Sequence, residues 1–228
     1  MSKGKLIVIE AGDGSGKETQ TKALYDHLRK DGYAVRRISF PDYEAESSAP
    51  VRMYLRGDFG SRAEDVNAFA ASTFYAVDRY ASFRRKWQRN YEAGEIILAD
   101  RYTTSNMVHQ AVKIADGKER EEFLQWLWDF EFGKLGLPVP DMVLFLDMDP
   151  EVADRLIAAR AREQGQERDI HEKDGAYLCR CHEAYLELAE KYRWKRIRCS
   201  EGGEPRSIGE IHGDVYRAVH GMLEGELL

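Results

Sequence analysis

The sequence predicts an α/β fold built on a five-stranded parallel sheet with helices on both faces, and three observations carry that prediction. Short continuous apolar runs, the form taken by strands buried on both sides, alternate with longer segments of three- and four-residue apolar spacing. Four of the runs end directly in glycine-rich, aromatic or charged residues, as expected where a parallel sheet carries its ligand loops at the carboxyl ends of its strands. No proline-, glycine- or serine-rich linker divides the 228 residues, so one domain over 1–228 is expected.

In chain order, the first strand is read over Lys5 to Glu10, followed by the loop Asp13-Gly14-Ser15-Gly16-Lys17-Glu18-Thr19. A helix follows over Thr21 to Arg29, with Ala23, Leu24 and Leu28 on its inner face and a stop near Asp31-Gly32. Further strands are expected over Ala34 to Phe40, Glu95 to Ala99, Met142 to Leu146 and Arg196 to Cys199. A long amphipathic helix is expected over Asp65 to Ala93, because Val66, Phe69, Ala70, Phe74, Val77 and Phe83 recur at mixed three and four spacings. Helices over Glu119 to Lys134, Glu151 to Arg162, Asp174 to Lys191 and Ser207 to Leu223 complete the set.

Composition narrows the function. Basic and acidic residues interleave, 34 against 40, and the net charge of −6 with no basic tail predicts no nucleic-acid partner. No apolar run approaches a membrane span and Lys3 leads straight into a strand, which predicts no membrane partner and a cytoplasmic location. Cys179, Cys181 and Cys199 are too few for a disulfide framework and read as reduced thiols. Cys179-Arg180-Cys181-His182, with His171 upstream, has zinc-ligating residue types. On a helix, however, neighbours two apart face different directions, so zinc is not expected.

The strongest local signal is strand, glycine loop, lysine, helix. Glycines let successive backbone N–H groups turn towards an anion, the helix adds the positive end of its dipole, and Lys17 supplies a point charge for β- and γ-phosphate oxygens. The pattern predicts a nucleoside triphosphate ligand. Ala11 stands where the first glycine is usual, with Gly12 one place later, and Glu18 stands where a hydroxyl usually ligates magnesium. Glu18 either binds the cation itself as a hard oxygen ligand or leaves that task to Thr19 or water. The third strand ends in Asp100-Arg101-Tyr102-Thr103-Thr104-Ser105-Asn106, an acid and a base that would be costly to bury unpaired.

In order and spacing, these segments resemble the thymidylate kinase family of P-loop nucleoside monophosphate kinases. The resemblance rests on Asp13-Gly14-Ser15-Gly16-Lys17, Phe40-Pro41, Phe74-Tyr75-Ala76-Val77-Asp78-Arg79, Asp100-Arg101-Tyr102 with Ser105, Asn106 and Gln110, Asp147 with Pro150-Glu151-Val152-Ala153, and Tyr185-Leu186-Glu187-Leu188-Ala189. It covers nearly the whole chain. It implies a P-loop NTPase fold with a short lid at about 155–172, ATP with Mg2+ as donor, dTMP as acceptor and a homodimer formed through helices such as 65–93.

Residue by residue, the resemblance implies that Gly12, Asp13, Gly14, Ser15, Gly16, Lys17, Glu18 and Thr19 hold the donor phosphates. Asp13, Phe40, Pro41, Tyr75, Arg79, Arg101, Asn106, His109 and Gln110 take the acceptor, with Tyr75 stacked on the base and Arg79 at its edge. Lys17, Arg101 and the lid residue Arg160 are the implied catalytic cations, Arg162 and Arg168 the other lid arginines, and Glu18 and Asp100 the implied metal ligands. Asp42 stands where the family usually carries an arginine, with Arg52 a candidate substitute, and His109 where it commonly has a tyrosine near the sugar. Two other readings stay open: a kinase for another (deoxy)nucleotide or nucleoside, and a catalytically weak nucleotide-binding switch module.

Overall fold

The structure, a computed structural model, describes residues 3–164 and 175–225, with no side-chain description for 160–164. The chain forms β1 (Leu6–Ala11), α1 (Lys17–Lys30), β2 (Val35–Ser39), α2 (Ala49–Arg56), α3 (Ala68–Ser82), α4 (Gln88–Glu92), β3 (Ile96–Asp100) and α5 (Thr103–His109). It continues with α6 (Gly117–Trp128), β4 (Met142–Asp147), α7 (Pro150–Gln164), α8 (Gly175–Lys191), β5 (Lys195–Arg198), β6 (Ser200–Glu201), β7 (Glu204–Pro205) and α9 (Ile208–Leu223). Five strands pair in parallel in the order β2-β3-β1-β4-β5, and β6 with β7 form a small hairpin. The expected five-stranded parallel sheet is therefore present. The hairpin was not anticipated, since two residues per strand leave no periodicity to read.

The two-residue alternation of a strand splits each apolar run between two half-cores. Leu6, Val8, Ile97, Ala99, Val143 and Phe145 pack with Phe123, Tyr177 and Tyr185 on one face. Ile7, Ile9, Leu98, Leu144 and Leu146 pack with Leu24, Leu28, Val215 and Val219 on the other. Covering both faces explains why all six residues of β1 are buried. Because β1 lies between β3 and β4, its carboxyl end opens into the crevice where ligands of parallel sheets bind.

Three helical expectations are corrected. α1 starts at Lys17 rather than Thr21, directly off the left-handed Gly16 (φ 76°). The Asp65 to Ala93 helix begins only at Ala68, where Asn67 caps it by accepting the Ala70 N–H at 2.8 Å, and it runs through a π-turn at Phe83–Trp87 into α4. Its inner face also differs from the apolar pattern. Phe69 and Val77 are 45% and 53% exposed, whereas Ala71, Ser72, Ala76, Asp78 and Arg79 are buried, because small and charged residues face the loop after β2 and the start of α5. Helices α2 and α5 were not read from the sequence. α5 is buried almost throughout, yet it opens with Thr103, Thr104, Ser105 and Asn106, which gives no apolar stripe. Among the described residues no helix is long and apolar enough to cross a membrane.

Candidate active site

The loop after β1 is set by two glycines. A Cβ on Gly14 (φ 77°) would come within 2.6 Å of the Ala153 carbonyl oxygen and 2.8 Å of Ile157 on α7, so this turn requires glycine both for its dihedral and for its packing. Gly16 then opens α1, whose first backbone N–H groups have no helical partner and are available to an anion. Ser15 closes the loop by donating to the Gly12 carbonyl at 2.7 Å. A cleft of about 740 Å³ runs over it, lined by every residue from Gly12 to Thr19 together with Asp100, Arg206 and Ser207. All the expected phosphate-binding positions therefore share one surface. Lys17 donates to Asp100, while burial, followed by the nearby charge of Arg101, holds its ammonium below the usual lysine value. Glu18 and Asp100 border the same cleft, a pair of hard carboxylates that fits Mg2+, which takes one or two such ligands beside phosphate oxygens and water.

A second pocket, of about 120 Å³, is lined by Asp13, Phe40, Pro41, Tyr75, Arg79, Arg101, Asn106, His109 and Gln110, all the expected acceptor positions, and also by Tyr43, Leu55, Tyr102 and Ser105. The Phe40–Pro41 peptide is cis. Tyr75 meets Tyr54 edge to face, with centroids 6.4 Å apart. Arg79 is almost fully buried and forked onto Glu131, Nε to Oε2 at 2.7 Å and Nη2 to Oε1 at 2.5 Å, and Thr103 donates to the same carboxylate at 2.7 Å. Burial opposes the Arg79 charge, but Glu131, Tyr102 and Asp78 together outweigh it and raise the guanidinium above its ordinary value. Asn106 donates to the Ser72 carbonyl at 3.4 Å, and the buried Gln110 Oε1 has no hydrogen-bond partner.

Arg101 sits at φ 64°, a left-handed conformation unusual for a residue with a side chain. Its guanidinium donates to Asp13 at 2.6 Å, to Tyr185 Oη at 3.3 Å and to Ser105 Oγ at 3.4 Å, and lies 3.3 Å from His109 Nε2. Burial again opposes the charge, and Asp13, Tyr185, Glu10 and Asp100 together hold its pKa well above the ordinary arginine value. Asp13 and His109 also border an apolar cavity of about 410 Å³ between α7 and α8.

Asp42 and its candidate substitute Arg52 are engaged elsewhere. Asp42 pairs with Lys86 and donates its N–H to Asp78 at 2.8 Å. Arg52 does not line the second pocket. It donates to the carbonyls of Tyr43 and Ala45 at 2.7 and 2.9 Å and to Ser48 Oγ at 2.6 Å, which makes it a brace for the loop after β2. Arg160 and Arg162 fall on the last turns of α7 but outside the described side chains, and Arg168 and His171 lie outside the described residues. Cys181 is buried 3.5 Å from His109 Nδ1 with its thiol pushed up to about 12 by burial, Cys179 is exposed, and among the described residues no metal-ligating cluster forms.

Glu10, Asp78, Glu131 and Tyr185 were not singled out as site residues, although each contacts one that was or the loop that carries it. The available signal was a carboxylate inside an apolar segment: Glu10 within Leu6–Ala11, and Glu131 between Phe130 and Phe132.

A glycine loop closing onto a helix at the centre of a parallel sheet, beside a second pocket that shares Asp13, is the arrangement of a P-loop nucleotide kinase. Comparison narrows the class. The family model described as Thymidylate kinase matches residues 9–205, and the chain belongs to the thymidylate kinase family. It is 32% identical over 186 residues to a thymidylate kinase of Mycobacterium tuberculosis, covering 81% of this chain and 85% of that protein. It is 35% identical to one of Leifsonia xyli, covering 96% of each chain. The fold matches a solved thymidylate kinase from Candida albicans with a TM-score of 0.70 over 100% of this chain and 96% of the other, at 21% sequence identity.

Proposed function

We propose that the chain transfers the γ-phosphoryl group of ATP to dTMP, giving dTDP and ADP. The observation that carries this reading is the meeting of two pockets at Asp13, with Lys17 and the glycine loop on one side and Arg101 on the other. The attacking phosphate oxygen is already anionic near neutral pH, so the site needs positioning and charge neutralisation more than a base. Lys17 takes donor phosphate oxygens, Arg101 the acceptor phosphate, and Arg160, from a lid at about 155–172 in one domain over 1–228, the moving group. Mg2+, held by Glu18 and Asp100 beside phosphate oxygens and water, would offset the charge of the donor triphosphate.

The acceptor pocket favours a thymine-type base. Tyr75 offers an aromatic face, Arg79 a donor and Gln110 an unpartnered acceptor, the complement of a ring that presents a carbonyl next to an N–H. A cytosine edge presents the reverse order. The reading includes a homodimer through the outer face of α3, where Phe69, Val77 and Tyr80 are exposed, and a cytoplasmic location, which suits three unpaired thiols. The test is a coupled ADP-release assay with ATP and Mg2+ against dTMP, dUMP, UMP, CMP, dGMP and thymidine. Preference for dTMP supports the reading. Preference for another acceptor replaces dTMP, and ATP binding with no turnover across the panel leaves a nucleotide-binding module.

A further inference from the structure

We propose that Glu10 is a positioning residue for Arg101: a buried carboxylate on β1 that grips the segment after Arg101 and, through two shared hydroxyls, aims its guanidinium. The inference rests on the role assigned above to Arg101 at the acceptor phosphate. Glu10 is fully buried in a strand whose other members are apolar, a position where a carboxylate is unfavourable unless its oxygens are satisfied. They are satisfied by donors alone. Oε1 accepts from the Tyr102 N–H at 3.2 Å and from Thr104 Oγ1 at 2.6 Å, and Oε2 accepts from Ser105 Oγ at 2.7 Å and from Tyr185 Oη at 3.1 Å.

Two consequences follow for Arg101. A hydroxyl has one hydrogen: Ser105 gives its own to Glu10, and the Tyr185 hydrogen has Glu10 Oε2 at 3.1 Å and the Ala11 carbonyl at 3.2 Å as acceptors, so both hydroxyls turn lone pairs to the Arg101 N–H groups that lie 3.4 and 3.3 Å away. With a neutral group at position 10 the Ser105 hydroxyl loses its anionic acceptor and is free to rotate, and the Tyr185 hydrogen is left to the Ala11 carbonyl, which shifts both lone-pair directions at Arg101. The backbone is gripped as well. Arg101 N–H donates to the Ile9 carbonyl at 3.1 Å and Tyr102 N–H to the Glu10 side chain, so adjacent residues of β1 hold both sides of the left-handed Arg101.

Glu10→Gln keeps the shape but leaves one acceptor oxygen for four donors. The expected result is a kcat lower by about 10- to 100-fold, the scale set by small displacements of a catalytic group, with the KM for ATP within about twofold of wild type. Arg101→Lys combined with Glu10→Gln should turn over no more slowly than Arg101→Lys alone, because both changes remove the same aim. Multiplicative losses would overturn the proposal and leave Glu10 a structural residue. Tyr185→Phe and Ser105→Ala keep the test decisive if Glu10→Gln does not fold, with the same non-additivity against Arg101→Lys expected. The Arg101 Nε–Hε resonance in nucleotide-free protein separates this inference from the function itself. It should move in Glu10→Gln and Tyr185→Phe whichever acceptor the wild type uses, and an unmoved resonance would overturn the positioning role.

Discussion

Removing Glu131 tests how the buried Arg79 is held. Arg79 and Glu131 are 1% and 0% exposed, and the carboxylate accepts two hydrogen bonds from Arg79 and one from Thr103. Glu131→Ala leaves a guanidinium buried and unpaired, a change that destabilises proteins by about 3–5 kcal/mol. For a chain of this length that lowers Tm by about 6–20 °C, at about 2–4 °C per kcal/mol. It should also raise the KM for dTMP more than that for ATP, because Arg79 lines the acceptor pocket and not the donor cleft. The double variant Arg79→Leu with Glu131→Leu should recover most of the lost Tm, since apolar replacement of both members of a buried pair is often neutral or better, while dTMP turnover stays low. Thermal unfolding and steady-state kinetics on the three proteins decide it. A Tm change below about 3 °C in Glu131→Ala, or a double variant as unstable as the single one, would refute the view that the pair carries an uncompensated charge when broken.

Tyr75→Ala should weaken dTMP binding by about 1–3 kcal/mol, the value of one base on an aromatic ring, and calorimetric titration would show no change if Tyr75 only packs against Tyr54. Lys17→Met should abolish transfer with the circular-dichroism spectrum intact, and Glu18→Thr should shift the Mg2+ titration of activity; an identical titration would remove Glu18 as a ligand. Lys113 donates to Tyr54 Oη and the Val66 carbonyl, and burial lowers its pKa to about 8. The folded value lies below the unfolded one of about 10.4, so between those pH values the unfolded chain binds a proton that the folded chain does not. Stability therefore falls by about 3 kcal/mol as the pH drops through that window and is flat below it. Lys113→Met should lose that dependence, read as the difference in denaturant midpoints between pH 10 and pH 8.

The fold was legible where local pattern and burial agree. β1 is an unbroken apolar run because helices cover both faces, and the glycine loop after it is written in dihedrals and close approaches that other residues cannot adopt. The pattern failed on α3 and α5 for one physical reason. Apolar spacing marks the buried face of a helix only when that face meets a hydrophobic core. The inner face of α3 meets a polar site, so it carries Ser72, Asp78 and Arg79, and its apolar residues Phe69 and Val77 are left outside.

That inversion also explains which site residues escaped the sequence. Lys17 and Arg101 follow the ends of strands and Tyr75 lines the second pocket from a helix, where motif and order point to them. Glu10 and Glu131 act one layer behind, each on an arginine or on the hydroxyls that surround one, and nothing in the spacing of a chain records which buried acid faces which buried base. Composition does leave a trace. An acidic residue that an apolar run carries into the interior must find donors in the folded chain, because burial without them is too costly to persist. Glu10 and Glu131 find them beside the pocket that Arg101 and Arg79 line, whereas Asp147, between Leu146 and Met148, finds His182 and Arg196 instead. An interruption of the hydrophobic pattern thus marks a buried acid that needs donors, and at Glu10 and Glu131 those donors are the arginine of the site or the hydroxyls around it.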